Sequence, residues 1–114
     1  MGWKVAMESN FTLNADIDLL SKDILNGIKE KHSSAIYLDK TIFWGENSRC
    51  HIDTYQVYSP LERGNITINI FFYNRNLEND LLLVKVSAFP PIKNTSLKCK
   101  KLLKEIEELI LSHK

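Results

Sequence analysis

The stretch Ile66-Thr67-Ile68-Asn69-Ile70-Phe71-Phe72-Tyr73 decides the fold. Ile66, Ile68, Ile70 and Phe72 fall on one side of an extended chain, and Thr67, Asn69, Phe71 and Tyr73 on the other. This is the period-two pattern of a strand with one face in a core. The same residues wound as a helix would scatter the isoleucines around its circumference. After the polar loop 74–80, a second run from Leu81 to Phe89 sets Leu82, Val84, Val86 and Ala88 opposite Leu81, Leu83, Lys85, Ser87 and Phe89, and Pro90-Pro91 stops it. Upstream, the connection 59–65, with Pro60 and Gly64, leads back to a strand from Arg49 to Tyr58. That strand sets Cys50, Ile52, Thr54 and Tyr58 against His51, Asp53, Tyr55 and Val57. The turn at 45–48 precedes one more strand, Ala35 to Trp44, in which Ile36, Leu38, Ile42 and Trp44 share a face interrupted by Lys40. Gly45-Glu46-Asn47 and Arg63-Gly64-Asn65 read as turn chemistry, since Gly and Asn tolerate positive φ.

Further out, Ile17, Leu20, Ile24 and Ile28 recur at helical spacing, predicting a helix from about Ala15 to Lys31. Asn14 serves as its expected N-cap, with Asp16 and Asp18 in the first turn, where the helix dipole favours acid. Gly27 inside it costs about 1 kcal/mol against Ala, so either the helix ends early or something packs close there. A first strand is expected from about Trp3 to Glu8. The last helix, about Thr95 to His113, carries the apolar stripe Cys99, Leu102, Leu103, Ile106, Leu109 and Ile110. The order β-α-β-β-β-β-α predicts an α+β two-layer sandwich over residues 1–114. In it, an antiparallel sheet bears both helices on one face. By analogy this is the order of TATA-binding-protein-like and helix-grip folds, which implies nothing about DNA binding.

At 114 residues with 44% hydrophobic and 25% charged residues, the chain is one domain with one core. Fifteen basic and fourteen acidic side chains leave a net charge of +1, so no overall field draws it to nucleic acid or an anionic membrane. Cys50 and Cys99 show no CxxC spacing, and the three histidines do not complete a zinc set, so two reduced thiols and no metal are expected. No apolar run approaches the ~20 residues that span a bilayer. The start of the chain lacks a signal-peptide pattern, Ala6 spoils a myristoylation signal, and the sequons at Asn10, Asn65 and Asn94 are read as chance. The abundance of Lys, Asn and Ile suggests AT-rich codons. A cytoplasmic, bacterial protein is expected.

Three segments carry a resemblance: Ile24-Leu25-Asn26-Gly27, then Ser48-Arg49-Cys50-His51-Ile52-Asp53-Thr54-Tyr55-Gln56-Val57-Tyr58-Ser59, then Arg63-Gly64-Asn65-Ile66-Thr67-Ile68-Asn69. Together they resemble the central part of a family of small bacterial proteins of unknown function. The resemblance covers roughly residues 4–112 and departs at Pro90-Pro91. Its motifs are strand and turn signatures, so it implies a short cytoplasmic domain and no catalytic residue or ligand.

Candidate chemistry sits on the sheet face that the helices leave open. The strand alternations assign to that face His51, Asp53 and Tyr55, then Asn69, Phe71 and Tyr73, then Leu83, Lys85 and Ser87. It is too aromatic for plain solvated sheet and too polar for core, the signature of a partner or ligand surface. Homodimerisation through Tyr55, Asn69, Phe71, Tyr73 and Lys85 is the leading expectation. His51 and Asp53, at i and i+2, project from one side of the strand. A carboxylate there would orient the imidazole as a general base, with Tyr55 a donor to an oxyanion. The same pattern describes a polar ladder on a sheet, and no nucleophile pairs with it.

On the last helix, Lys93, Lys98, Lys100, Lys101 and Lys104 precede Glu105, Glu107 and Glu108, opposing the helix dipole. Without Arg or interleaved aromatics this makes a poor nucleic-acid footprint. GxGxxG, Walker, HExxH and GxSxG motifs are absent from the sequence, so no cofactor is expected. The alternative reading is a small apolar ligand held between the last helix and the sheet, in a cleft lined by Trp44, Phe72, Leu103 and Ile106.

Overall fold

A computed structural model describes residues 7–92 and 97–114. The element order is β1 (Met7–Asn14), α1 (Ile17–Lys31), β2 (Ile36–Trp44), β3 (Arg49–Ser59), β4 (Gly64–Asn74), β5 (Leu81–Phe89) and α2 (Leu97–Leu111). The strands form one five-stranded antiparallel sheet in the order β1-β5-β4-β3-β2. This is the expected α+β arrangement. The decisive run behaves as read: Ile66, Ile68, Ile70 and Phe72 are fully buried, alternating with partly open neighbours. Each such side chain contributes roughly 1.5–3 kcal/mol by leaving water.

Ile17, Leu20, Ile24 and Ile28 of α1, and Cys99, Leu102, Ile106 and Ile110 of α2, close the same core from one side. The two helices meet antiparallel at Gly27. A Cβ there would stand 2.6 Å from Leu109 Cδ1, which answers the question the mid-helix glycine posed: α1 continues, and α2 packs close. Histidine–carboxylate pairs flank that contact, His32 Nε2 to Glu105 Oε2 at 2.8 Å and His113 Nε2 to Asp23 Oδ2 at 3.0 Å. Glu107 accepts a hydrogen bond from Ser9 on β1, and Lys98 Nζ donates to the Tyr58 carbonyl at 2.8 Å, so part of the sorted helix charge is used in tying α2 to the sheet.

Several expectations are corrected. The first strand, Met7–Asn14 among the described residues, overlaps the expected span at Met7 and Glu8 and runs on to Asn14, while the expected positions 3–6 lie outside the described residues. Phe11 and Leu13 alternate inward among polar neighbours, and pairing with β5 overrides the weak strand propensity of the asparagines. Asn14 is paired with Leu81 in that ladder, so Asp16 caps α1 instead, accepting from Leu19 N at 3.0 Å. On β2, a register shift between Tyr37 and Asp39 leaves Leu38 in a bulge, which breaks the shared face expected for Ile36, Leu38, Ile42 and Trp44. In the β3–β4 turn the positive φ belongs to Arg63, at 52°, and not to a glycine. Gly64 is needed for space, since a Cβ would lie 2.7 Å from Pro91 Cβ.

The largest correction concerns β3. Paired residues of an antiparallel ladder share a face. His51 pairs with Phe72, Asp53 with Ile70, and Tyr55 with Ile68, so all three point under the helices, at 0%, 0% and 1% exposure. The open face of β3 is Cys50, Ile52, Thr54, Gln56 and Tyr58. Both sides of this strand carry apolar groups, so alternation alone could not say which side was inside. The ionisable pair suggested water when it is in fact held by partners inside.

Candidate functional site

Two features follow from this register, a polar chain that runs from the exposed Asp18 on α1 inward to the buried His51 and Asp53, and an apolar band on the open face. The chain begins at Asp18, in the first turn of α1. Its carboxylate takes both ends of the Arg49 guanidinium, at 2.8 and 3.1 Å. Arg49 lies over the Trp44 ring, 5.1 Å from its centroid. A guanidinium has only donors, so its contact with His51 Nδ1 at 3.2 Å makes that nitrogen the acceptor, and Nε2 donates to Asp53 Oδ1 at 2.8 Å. Asp53 is the hub. It accepts also from Ser21 of α1 at 2.5 Å and from Tyr37 of β2 at 2.6 Å.

Burial pushes the Asp53 carboxyl up, but the hydrogen bonds from His51, Ser21 and Tyr37 outweigh it and hold the group below its ordinary range. The Arg49 hydrogen bond lowers Asp18 in the same sense. Tyr37 and Tyr55 are both raised well above an ordinary phenol, chiefly by burial, with the Asp53 charge adding to it. The Tyr55 hydroxyl is buried without a hydrogen-bond partner among the described residues, and its ring packs on Tyr37 at 5.1 Å between centroids.

The expected His51 and Asp53 pairing is therefore present, but its setting is not that of a general base. Both ring nitrogens of His51 are engaged, its ring edge meets Phe72 at 5.3 Å, and it is fully buried. Ser21 reaches the carboxylate and not the imidazole, the reverse of a nucleophile–base relay. What the arrangement does is join three elements, α1, β2 and β3, through one carboxylate.

The open face is organised in rungs across the strands. One runs Thr12, Leu83, Tyr73, Cys50, Phe43, and the next Asn10, Lys85, Phe71, Ile52, Thr41. Phe43 is 59% exposed, Leu83 47% and Phe71 36%, and Phe71 and Tyr73 lie 6.5 Å apart. The following rung is polar, Glu8, Ser87, Asn69, Thr54, Asp39, with Thr54 donating to Asn69 at 2.9 Å and Lys85 paired with Glu8 at 3.4 Å. Of the expected face residues, Asn69, Phe71, Tyr73 and Lys85 come together here and Tyr55 does not. Phe43, Cys50 and Ile52 belong to the band and were missed. The signal for them is the turn: residues 60–63 pair Ser59 with Gly64, and counting back from there places Tyr55 opposite Ile68.

At one end of the band Asn10, Thr12, Phe71, Leu83 and Lys85 surround a depression of about 320 Å³. By contrast, the residues of the expected helix–sheet cleft do not gather. Phe72 and Ile106 are fully buried in the core while Trp44 stands 65% exposed at the sheet edge. Burial raises the Cys50 thiol, and raises Cys99 to about 11 with the charge of Glu62 adding to it, so neither is poised as a thiolate.

Among the described residues, no group of three or more His, Cys, Asp or Glu side chains could hold a metal ion, and no helix is long and apolar enough to cross a membrane. Comparison with models of known protein families finds no match, and comparison with curated proteins finds no relative.

Proposed function

We propose that this domain is a non-enzymatic interaction module that forms a homodimer through the open face of its sheet. The observation that carries the reading is the continuous apolar band from Leu83 through Tyr73 and Phe71 to Ile52, Cys50 and Phe43, on the side that neither α1 nor α2 covers. A sheet with both faces apolar is normally covered on both. The face is large enough for a second copy. Five strands about 4.8 Å apart, each offering about eight residues of about 3.3 Å, make a face of about 600 Å². That approaches the ~800 Å² per partner of a standard interface. Lys85, the charged side chain within the band, is paired with Glu8 at 3.4 Å, so covering the band leaves no lone charge in it. A cytoplasmic setting and kinship with small bacterial proteins belong to this proposal and rest on the sequence alone.

Light scattering of the purified protein over a range of concentrations tests it. A mass of twice the chain that persists on dilution is expected, whereas a monomer at every concentration sinks the proposal. The second reading is a small apolar ligand in the depression beside Phe71 and Leu83, whose volume falls at the lower end of the ~300–1,000 Å³ of ligand sites.

A further inference from the structure

The open face is unequal about its middle strand. β4 is the third of five strands, so β3 and β2 lie to one side of it and β5 and β1 to the other. On the rung through Tyr73, the β2 end is the projecting ring of Phe43, 59% exposed. The β1 end of the same rung is Thr12, a short side chain on the rim of the 320 Å³ depression. A knob thus stands two strands out on one side of β4, and on the other a hollow extends from Phe71 on β4 across Leu83 and Lys85 on β5 to its outer rim at Asn10 and Thr12 on β1.

A closed dimer built from one patch requires that each contact between residue i and residue j be repeated as j with i. Sheets packed face to face keep their strands within about 30° of alignment. A two-fold axis parallel to β4 meets both conditions, because it exchanges β2 with β1 and β3 with β5. We infer that the dimer axis runs along β4 between the two Tyr73 and Phe71 pairs, so that each Phe43 enters the partner's hollow beside Thr12 and Leu83. The same operation sets Cys50 against the partner's Leu83 and Ile52 against the partner's Lys85 stem, and it stacks the aromatic pairs about the axis. An axis perpendicular to β4 would instead oppose strand ends, leaving Phe43 over its own counterpart and the hollow unfilled.

This inference rests on the proposed homodimer, and cross-linking separates the two. In a Cys50→Ser background, Thr12→Cys and Phe43→Cys are introduced into one chain; both positions are exposed on the strands, so folding is preserved. Within a chain the two sites are four strand spacings apart, about 19 Å, beyond the reach of a short bis-maleimide cross-linker. Any bridge between residues 12 and 43 is therefore between chains. Reaction with a short bis-maleimide at micromolar protein, which reaches across the ~10 Å between face-packed sheets, followed by electrophoresis and peptide mass spectrometry, should convert most of the protein to a covalent dimer containing the 12–43 peptide. The single variants should give no such peptide. A dimer by light scattering that yields no 12–43 bridge overturns the axis while leaving the dimer standing, and a monomer overturns both.

Discussion

At the scale of single residues, Asp53 is the most consequential side chain. A buried carboxylate without partners would cost several kcal/mol, yet this one accepts from Ser21, Tyr37 and His51 at 2.5, 2.6 and 2.8 Å. Removing its charge leaves those donors with a weaker acceptor and His51 without its carboxylate. Asp53→Asn is expected to destabilise the fold by about 3 kcal/mol at pH 7, read from the shift in urea midpoint. The pH dependence has a definite sign. The folded carboxyl lies below its unfolded value of about 4, so on acidification the unfolded chain takes up the proton first. The stabilisation is complete above about pH 4 and is lost as pH falls through the folded value. The acid loss of stability should accordingly be shallower in Asp53→Asn than in the parent. Equal slopes for the two proteins would mean that Asp53 is not the hub described.

At the scale of elements, the α1–α2 contact is set by the glycine at 27. A methyl group there meets two methyls of Leu109, at 2.6 and 2.8 Å, so the helix-propensity gain of about 1 kcal/mol is opposed by overpacking of about 1–3 kcal/mol. Gly27→Ala alone should therefore destabilise by about 1 kcal/mol. In a Leu109→Ala background the obstruction is gone, and the same substitution should stabilise by about 1 kcal/mol. A double-mutant cycle followed by thermal or urea unfolding measures this reversal, and additive effects would remove Leu109 as the cause. The glycine's role was legible in advance only as a question, because a sequence shows that a helix contains a glycine but not what stands across from it.

At the scale of the whole molecule, one side of the sheet is closed by α1 and α2, and the other is the face proposed to meet a second copy. Tyr73 sits at the centre of the open face, beside Phe71 and across from Cys50 and Leu83. Tyr73→Asp is expected to leave a folded protein of monomer mass, since the residue lies on no core contact that α1 or α2 makes. Circular dichroism and light scattering on the same sample check both halves of that expectation. A dimer retained by this variant would take Tyr73 out of the interface and weaken the case for the face as a whole.

What the sequence determined by itself is the set of elements and the side of each that is most apolar. Ile66 to Phe72 could only be a half-buried strand, the stripes of α1 and α2 could only face a core, and the short turns between strands made the sheet antiparallel. Strand β3 was different. His51, Asp53 and Tyr55 on one side and Cys50, Ile52 and Thr54 on the other have comparable claims to the interior, and a shift of one residue exchanges them. Only the tertiary structure decided between them, because burial of a hydrogen-bonded polar pair depends on partners distant in the chain. Asp18 and Ser21 arrive from α1 and Tyr37 from β2, and together they satisfy the polar groups that local reasoning assigns to water.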